Sequence, residues 1–261
     1  MKKRFAGKIL LFFFLAAFFM VVYHVEVKKE ARKSRQAAAQ PVSEIRQSLM
    51  EAEAGTTIKA EQLAVIHAQE LFFQQDITEE IFARIYGKSW KEECTIKRAD
   101  LCYVRVLHRG FDGEVYIGEL IVNRQISEDI LDIFYRLYLA GYPIEKIRLI
   151  DEYDANDECS MADNNTSCFN FRTISRSETL SKHSRGLAVD VNPLYNPYLK
   201  TVNGELICEP ESGWDYADRS KEFAYKINEN DLCYQLFIEH GFTWGGDWNT
   251  VKDYQHFEKE I

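Results

Sequence analysis

The chain has no surplus of basic charge. Its 32 lysines and arginines face 41 aspartates and glutamates, a formal net charge of −9 with a pI near 5.3. Nucleic acid rewards a basic face, so that class of partner is excluded. No internal repeat occurs. None of the six cysteines (Cys94, Cys102, Cys159, Cys168, Cys208 and Cys233) falls in a Cys-x-x-Cys pair. Apolar runs are also short. The longest, Ile9 to Tyr23, reaches the lower limit of a membrane span only when His24 and Val25 are added, because a span takes about 20 apolar residues.

What is present is one domain's worth of core and some appendages. The 261 residues are 46% hydrophobic and 28% charged, ordinary values for a single folded unit. Residues 1–8 are basic and precede the apolar run at 9–25, an arrangement that directs export. No small-x-small site follows the run directly, which favours a single-pass anchor; a cleaved signal peptide and a secreted product is the alternative. Residues 26–57, rich in Ala, Gln, Glu, Lys and Arg, read as a juxtamembrane spacer, helical or disordered. Both flanks of the run are basic, so the positive-inside rule leaves orientation open. In an exported protein the even cysteine count reads as disulfides, Cys94 with Cys102 and Cys159 with Cys168 spanning local loops; the alternative is free, buried small hydrophobes.

Residues 58–95 carry a helical pattern through Leu63, Ile66, Leu71 and Phe72. A capping box at Asp76-Ile-Thr-Glu79 then opens a second helix that Gly87 stops. From 96 to 261 the pattern is mixed. Tyr103–Leu107 and Val115–Val122 flank Asp112-Gly113 as a hairpin. Ser127 opens a helix ended by Gly141 and Pro143, and Ile147–Ile150 reads as a strand. Asp151 to Ser167 is a polar loop. Its four aspartates, Asp151, Asp154, Asp157 and Asp163, fit no defined calcium spacing. Cys168–Arg172 alternates, Ala188–Val191 is a short strand, and Glu229–His240 a helix closed by Gly241. Phe242–Trp244 and Gln255–Glu258 are the last strands. This mixture predicts an α+β fold, with flanking helices on a small antiparallel sheet.

Two clusters bear chemistry. In the first, Ser181-Lys-His-Ser-Arg-Gly-Leu-Ala-Val-Asp190, Val189 and Val191 share one strand face, so Asp190 points to the other. Gly186 permits a tight return that carries His183 back over Asp190. In the second, Asp253-Tyr-Gln-His-Phe-Glu258, an inward Phe257 leaves His256 and Glu258 on the opposite face. Two imidazoles and one carboxylate, with thiolates absent from both clusters, make a three-ligand zinc site with one position open. Asp253 is a candidate general base.

Ser181-x-His183-x-x-Gly186-x-Ala188-x-Asp190 with Asp253-x-x-His256 resembles the zinc D-alanyl-D-alanine peptidases of the VanY and VanX type, over roughly residues 96–258. These include L-alanyl-D-glutamate endopeptidases and share a fold with lysostaphin and the hedgehog signalling domain. The resemblance implies one zinc on His183, Asp190 and His256, with Asp253 as base. Zinc lowers the pKa of its bound water to about 7. The resemblance also implies an upstream arginine that meets the developing oxyanion, for which Arg172 stands ahead of Arg148, Arg176 and Arg185. Ser181 is a substrate contact, an orienter of the histidine loop or a turn cap. Trp248, in the turn Trp244-Gly-Gly-Asp-Trp248, walls the cleft or packs beneath it.

The expectation is a monomeric zinc carboxypeptidase on peptidoglycan stem peptides, held at the membrane with its catalytic domain outside the cytoplasm. An L-alanyl-D-glutamate endopeptidase and a non-catalytic, hedgehog-like zinc module are the alternatives. A serine D,D-peptidase is excluded, because no serine is followed three residues later by lysine.

Overall fold

The computed structural model describes residues 42–174 and 179–261, together with Met20 and residues 26–29. The chain divides into residues 1–51 and 52–261. In the first unit a helix covers residues 42–51. The apolar run expected to anchor the chain lies, Met20 apart, outside the described residues. No helix among those described is long and apolar enough to cross a membrane.

In the second unit β1 (Thr57–Ile58), β2 (Phe73–Gln75), β3 (Leu101–Arg109) and β4 (Val115–Asn123) form an antiparallel sheet ordered β1-β4-β3-β2. β3 and β4 pair over nine residues, from Leu101↔Asn123 to Arg109↔Val115, about the expected Asp112-Gly113 turn. Their side chains alternate between two apolar layers, as pleating demands. Cys102, Val104, Val106, Leu120 and Val122 face Ile130, Ile133, Phe134 and Leu137 of the helix Ser127–Leu139. Leu101, Tyr103 and Ile121 face Ile81 and Ile85 of the helix Glu79–Ile85. Each large side chain so buried stabilises the fold by about 1.5–3 kcal/mol.

The expected long helix after Ile58 does not form. The segment breaks into β1, a single turn at Ala60–Leu63, a 3-10 turn at Ala68–Leu71 and β2. β1 and β2 cover the two edges of the β3–β4 hairpin, and that pairing overrides local helix propensity. The next helix starts two residues later than the Asp76 box implies, with the Thr78 hydroxyl accepting from Ile81 N. The expected strand at Ile147–Ile150 is shorter, β5 (Lys146–Ile147), and a 3-10 turn takes Ile150–Tyr153.

β5 pairs in parallel with β6 (Asn165–Thr166). The remaining strands are β7 (Ala188–Asp190), β8 (Tyr198–Val202), β9 (Glu205–Glu209), β10 (Thr243–Trp244), β11 (Lys252–Asp253) and β12 (His256–Glu258). They form two three-stranded antiparallel sheets, β10-β12-β7 and β11-β8-β9. Val189 and Phe257, cross-strand partners, enter the main core with the helix Leu232–Glu239. The architecture is thus mixed α/β with mainly antiparallel sheets.

All six cysteines are free, which corrects the expected bridges. Cys94 packs in the layer of Leu101 and Tyr103, whereas Cys102 lies in the layer on the opposite sheet face. Cys168 is buried in that same core, while Cys159 is exposed on the helix Asp157–Ala162. The members of each local pair thus lie in different surroundings.

Candidate metal centre and active site

The site forms where β7 and β12 lie side by side, His256 directly opposite Asp190. His183 reaches the same point from the 3-10 turn Lys182–Arg185. Ser181 caps that turn, its hydroxyl accepting from His183 N at 3.2 Å. Gly186 ends it at φ +64, and a Cβ there would lie 2.6 Å from Asn123 N. Glycine thus lets the turn lie flush on β4, where Asn123 N donates to Gly186 O and Asn123 Nδ2 to Arg185 O. The site loop is thereby tied to β4, which pairs with β3 over nine residues.

One ligand atom each from His183, Asp190 and His256 falls within 4.8 Å of the other two. His183 Nε2 lies 3.2 Å from Asp190 Oδ2 and 3.2 Å from His256 Nδ1, which is 3.0 Å from Asp190 Oδ1. Each outer ring nitrogen is engaged. His183 Nδ1 donates to Cys168 O at 2.6 Å, and His256 Nε2 meets Glu258 Oε2 at 3.0 Å. Such outer partners fix ring orientation and tautomer at metal sites. Burial alone would raise the Asp190 carboxyl; the neighbouring imidazoles hold it well below the usual carboxylate range. The hydrogen bond with His256 lowers Glu258 as well.

Asp253 stands beside this cluster on β11. Its Oδ1 is buried and has no hydrogen-bond partner among the described residues. Burial pushes its pKa up to about 7, with the Asp190 charge adding and the two imidazoles opposing. Two nitrogens, one carboxylate oxygen, occupied outer nitrogens and an orphaned carboxylate oxygen nearby fit a zinc ion and a general base.

The turn between the tryptophans sets the position of that base. A Cβ on Gly245 would stand 2.6 Å from Asp253 O and 2.7 Å from Asp253 Cβ, so glycine alone fits beneath it. Trp248 is half-buried with its ring 5.3 Å from that of His256, against the site. Ser181, itself buried, spends its hydroxyl within the histidine loop. Arg172 is ion-paired with Asp157, whose Oδ1 accepts from Asn170 Nδ2 at 3.1 Å. Its backbone N donates to Ser184 Oγ, which fastens it to the histidine turn. Segment 168–172 forms no strand; it runs past the site and supplies the Cys168, Asn170 and Arg172 carbonyls to His183 and Ser184. Of the other arginines, Arg148 pairs with Glu152, Arg185 is exposed, and Arg176 lies outside the described residues. The four loop aspartates bind separate partners: Ser89, Lys88, Arg172 and Lys146.

Three features escaped sequence reasoning. Glu258 and the Cys168 carbonyl are the outer partners of the histidines; the His-x-Glu spacing in a strand was the available signal for the first. The β8–β9 hairpin, which carries β11 on its flank, was signalled by Asn203-Gly204, both at positive φ.

Residues 175–259 match a family model described as D-alanyl-D-alanine carboxypeptidase. The match covers about a third of the chain and includes His183, Asp190, Asp253 and His256. It supports a peptidase of the zinc-dependent kind and does not distinguish a VanY from a VanX type. No curated protein and no solved structure gave a match.

Proposed function

We propose that the chain is a zinc metallopeptidase that removes the terminal residue from peptidoglycan stem peptides as a D-alanyl-D-alanine carboxypeptidase. The observation that carries this reading is the convergence of His183, Asp190 and His256 beside a buried, unpartnered Asp253 oxygen. A purely structural zinc site needs no such carboxylate, which counts against a non-catalytic module. The description of the matching family favours the carboxypeptidase over the endopeptidase.

Held by the three ligands, zinc would supply Lewis acidity to the attacking water and the scissile carbonyl. Asp253 takes the proton of the water and delivers it to the departing amine; a carboxyl raised by burial suits that exchange near neutral pH. Arg172 offers positive charge to the carbonyl oxygen, and Asp157 holds its guanidinium by an ion pair. Trp248 walls the cleft, and Ser181 shapes the histidine loop. The N-terminal segment holds the domain at the outer face of the membrane, where this polymer lies.

Defined muropeptides are digested and the products weighed by mass spectrometry, with zinc content measured alongside. The parent is expected to release a single D-Ala, and Asp253→Ala to keep its zinc while losing at least about 10³-fold in rate. Cleavage after L-Ala would move the assignment to the endopeptidases. A parent that is zinc-loaded and inert on every muropeptide would end the enzymatic reading.

A further inference from the structure

β11 lies against β8 with Asp253 directly opposite Tyr198. Directly opposed residues of an antiparallel pair project from the same face, with Cβ atoms about 4.5–5.5 Å apart. The Asp253 carboxylate faces the ligand cluster, where its charge interacts with those of His256, Asp190 and His183. Tyr198 therefore stands on the cleft side of its strand, flanked by Asp253 on one neighbour and Glu209 on the other. The residue is half-buried, and no hydrogen bond to its phenol occurs among the described residues. The phenol oxygen is not among the buried, unpartnered oxygens of the described residues, so it reaches solvent and is open to a ligand.

We propose that the Tyr198 phenol is a second donor to the scissile carbonyl oxygen, hydrogen-bonding it as that oxygen gains negative charge. This rests on the peptidase reading above. Burial, with the Asp253 charge adding to it, holds the phenol's pKa above its ordinary value, so the O–H stays protonated at neutral pH. Tyr198 keeps that proton throughout. The water oxygen bonds to the carbonyl carbon, the carbon–nitrogen bond breaks, and the proton travelling by Asp253 ends on the amine. Two donors on one developing oxyanion share its charge, and Arg172, already tied to Asp157, does not have to carry it alone. The β8–β9 hairpin acquires a role by the same token, because it delivers this phenol.

The test compares Tyr198→Phe with the parent, both zinc-loaded, on the muropeptide that the parent cleaves. The expected outcome is a fall in kcat of about 10²-fold with KM little changed and zinc stoichiometry intact. A phosphinate analogue of the tetrahedral state should lose affinity for the variant by a similar factor, while the product peptide binds as before. Parent-like kcat and analogue affinity in Tyr198→Phe would remove Tyr198 from the mechanism and leave the peptidase reading standing. Loss of zinc in step with activity would make the residue structural and overturn the proposal. An inert, zinc-loaded parent would take both readings down together, a result that the first comparison cannot mimic.

Discussion

The β3–β4 hairpin with its helix and the cleft built on β7, β11 and β12 are held together by different forces. The first is a nine-residue ladder between two apolar layers. The second consists of strands of two or three residues whose Val189 and Phe257 enter that same core, and whose polar groups are fastened by side-chain-to-backbone bonds such as His183 to Cys168 O and Ser184 Oγ to Asn170 O. Apolar burial is non-directional and proportional to area, whereas hydrogen bonds fix angles. The hairpin therefore supplies stability, and the cleft uses it to hold polar groups at set positions.

If that division is correct, Phe134→Ala should produce the largest change in stability and the smallest in chemistry. Phe134 is fully buried between the sheet and Phe237. Its truncation is expected to cost about 3–5 kcal/mol of unfolding free energy in urea titrations. Zinc affinity and kcat per folded molecule should stay at parent values. A loss of zinc well before unfolding would show that the two regions share one cooperative support.

Gly245→Ala applies the opposite test. The new methyl group displaces Asp253, since no room exists at 2.6 Å from its carbonyl oxygen. A misplacement of about 1 Å costs on the order of 10²-fold in rate, so kcat should fall by that factor with zinc content and melting temperature close to the parent's. An unchanged kcat would mean that Asp253 is not held from below.

The hairpin half was the easier to read in advance. Alternating apolar residues on either side of Asp112-Gly113, and the Ser127 start with its Gly141 stop, each name one structure. Residues 58–75 misled, because their helical spacing says nothing of the bare sheet edges that claim them. The site candidates were visible through spacing: His183, Asp190 and His256 sit near residues of fixed role, Gly186, Val189 and Phe257, and Asp253 stands three places before His256. What supports them was not visible. The Cys168 carbonyl is backbone, available at any residue, and only the folded path shows which one meets His183. The cysteines gave a number and no geometry, and packing then put Cys94 and Cys102 in the layers on opposite faces of the sheet.

The finest contrast concerns protons. Burial lowers the pKa of His256, but hydrogen bonds to Asp190 and Glu258 prevail and push it up to about 10. A raised folded-state pKa means that this group's stabilisation is complete below its ordinary value of 6.5 and is lost as pH climbs through about 10. Asp190, held low, contributes in the opposite sense: its stabilisation is present above 3.8 and is lost as pH falls. Zinc requires a neutral imidazole and must displace the proton on His256, so its apparent affinity should rise about tenfold per pH unit between 6.5 and 10. Calorimetry at pH 8 in buffers of different ionisation enthalpy should detect about one proton released per zinc bound. Glu258→Gln removes one of the two carboxylates that keep that proton in place. The variant should release less than a full proton and show a flatter pH slope, with zinc affinity lower by about 10–100-fold for want of the outer partner. The Phe134→Ala protein should keep the parent slope, because no group in the hairpin core titrates with the metal.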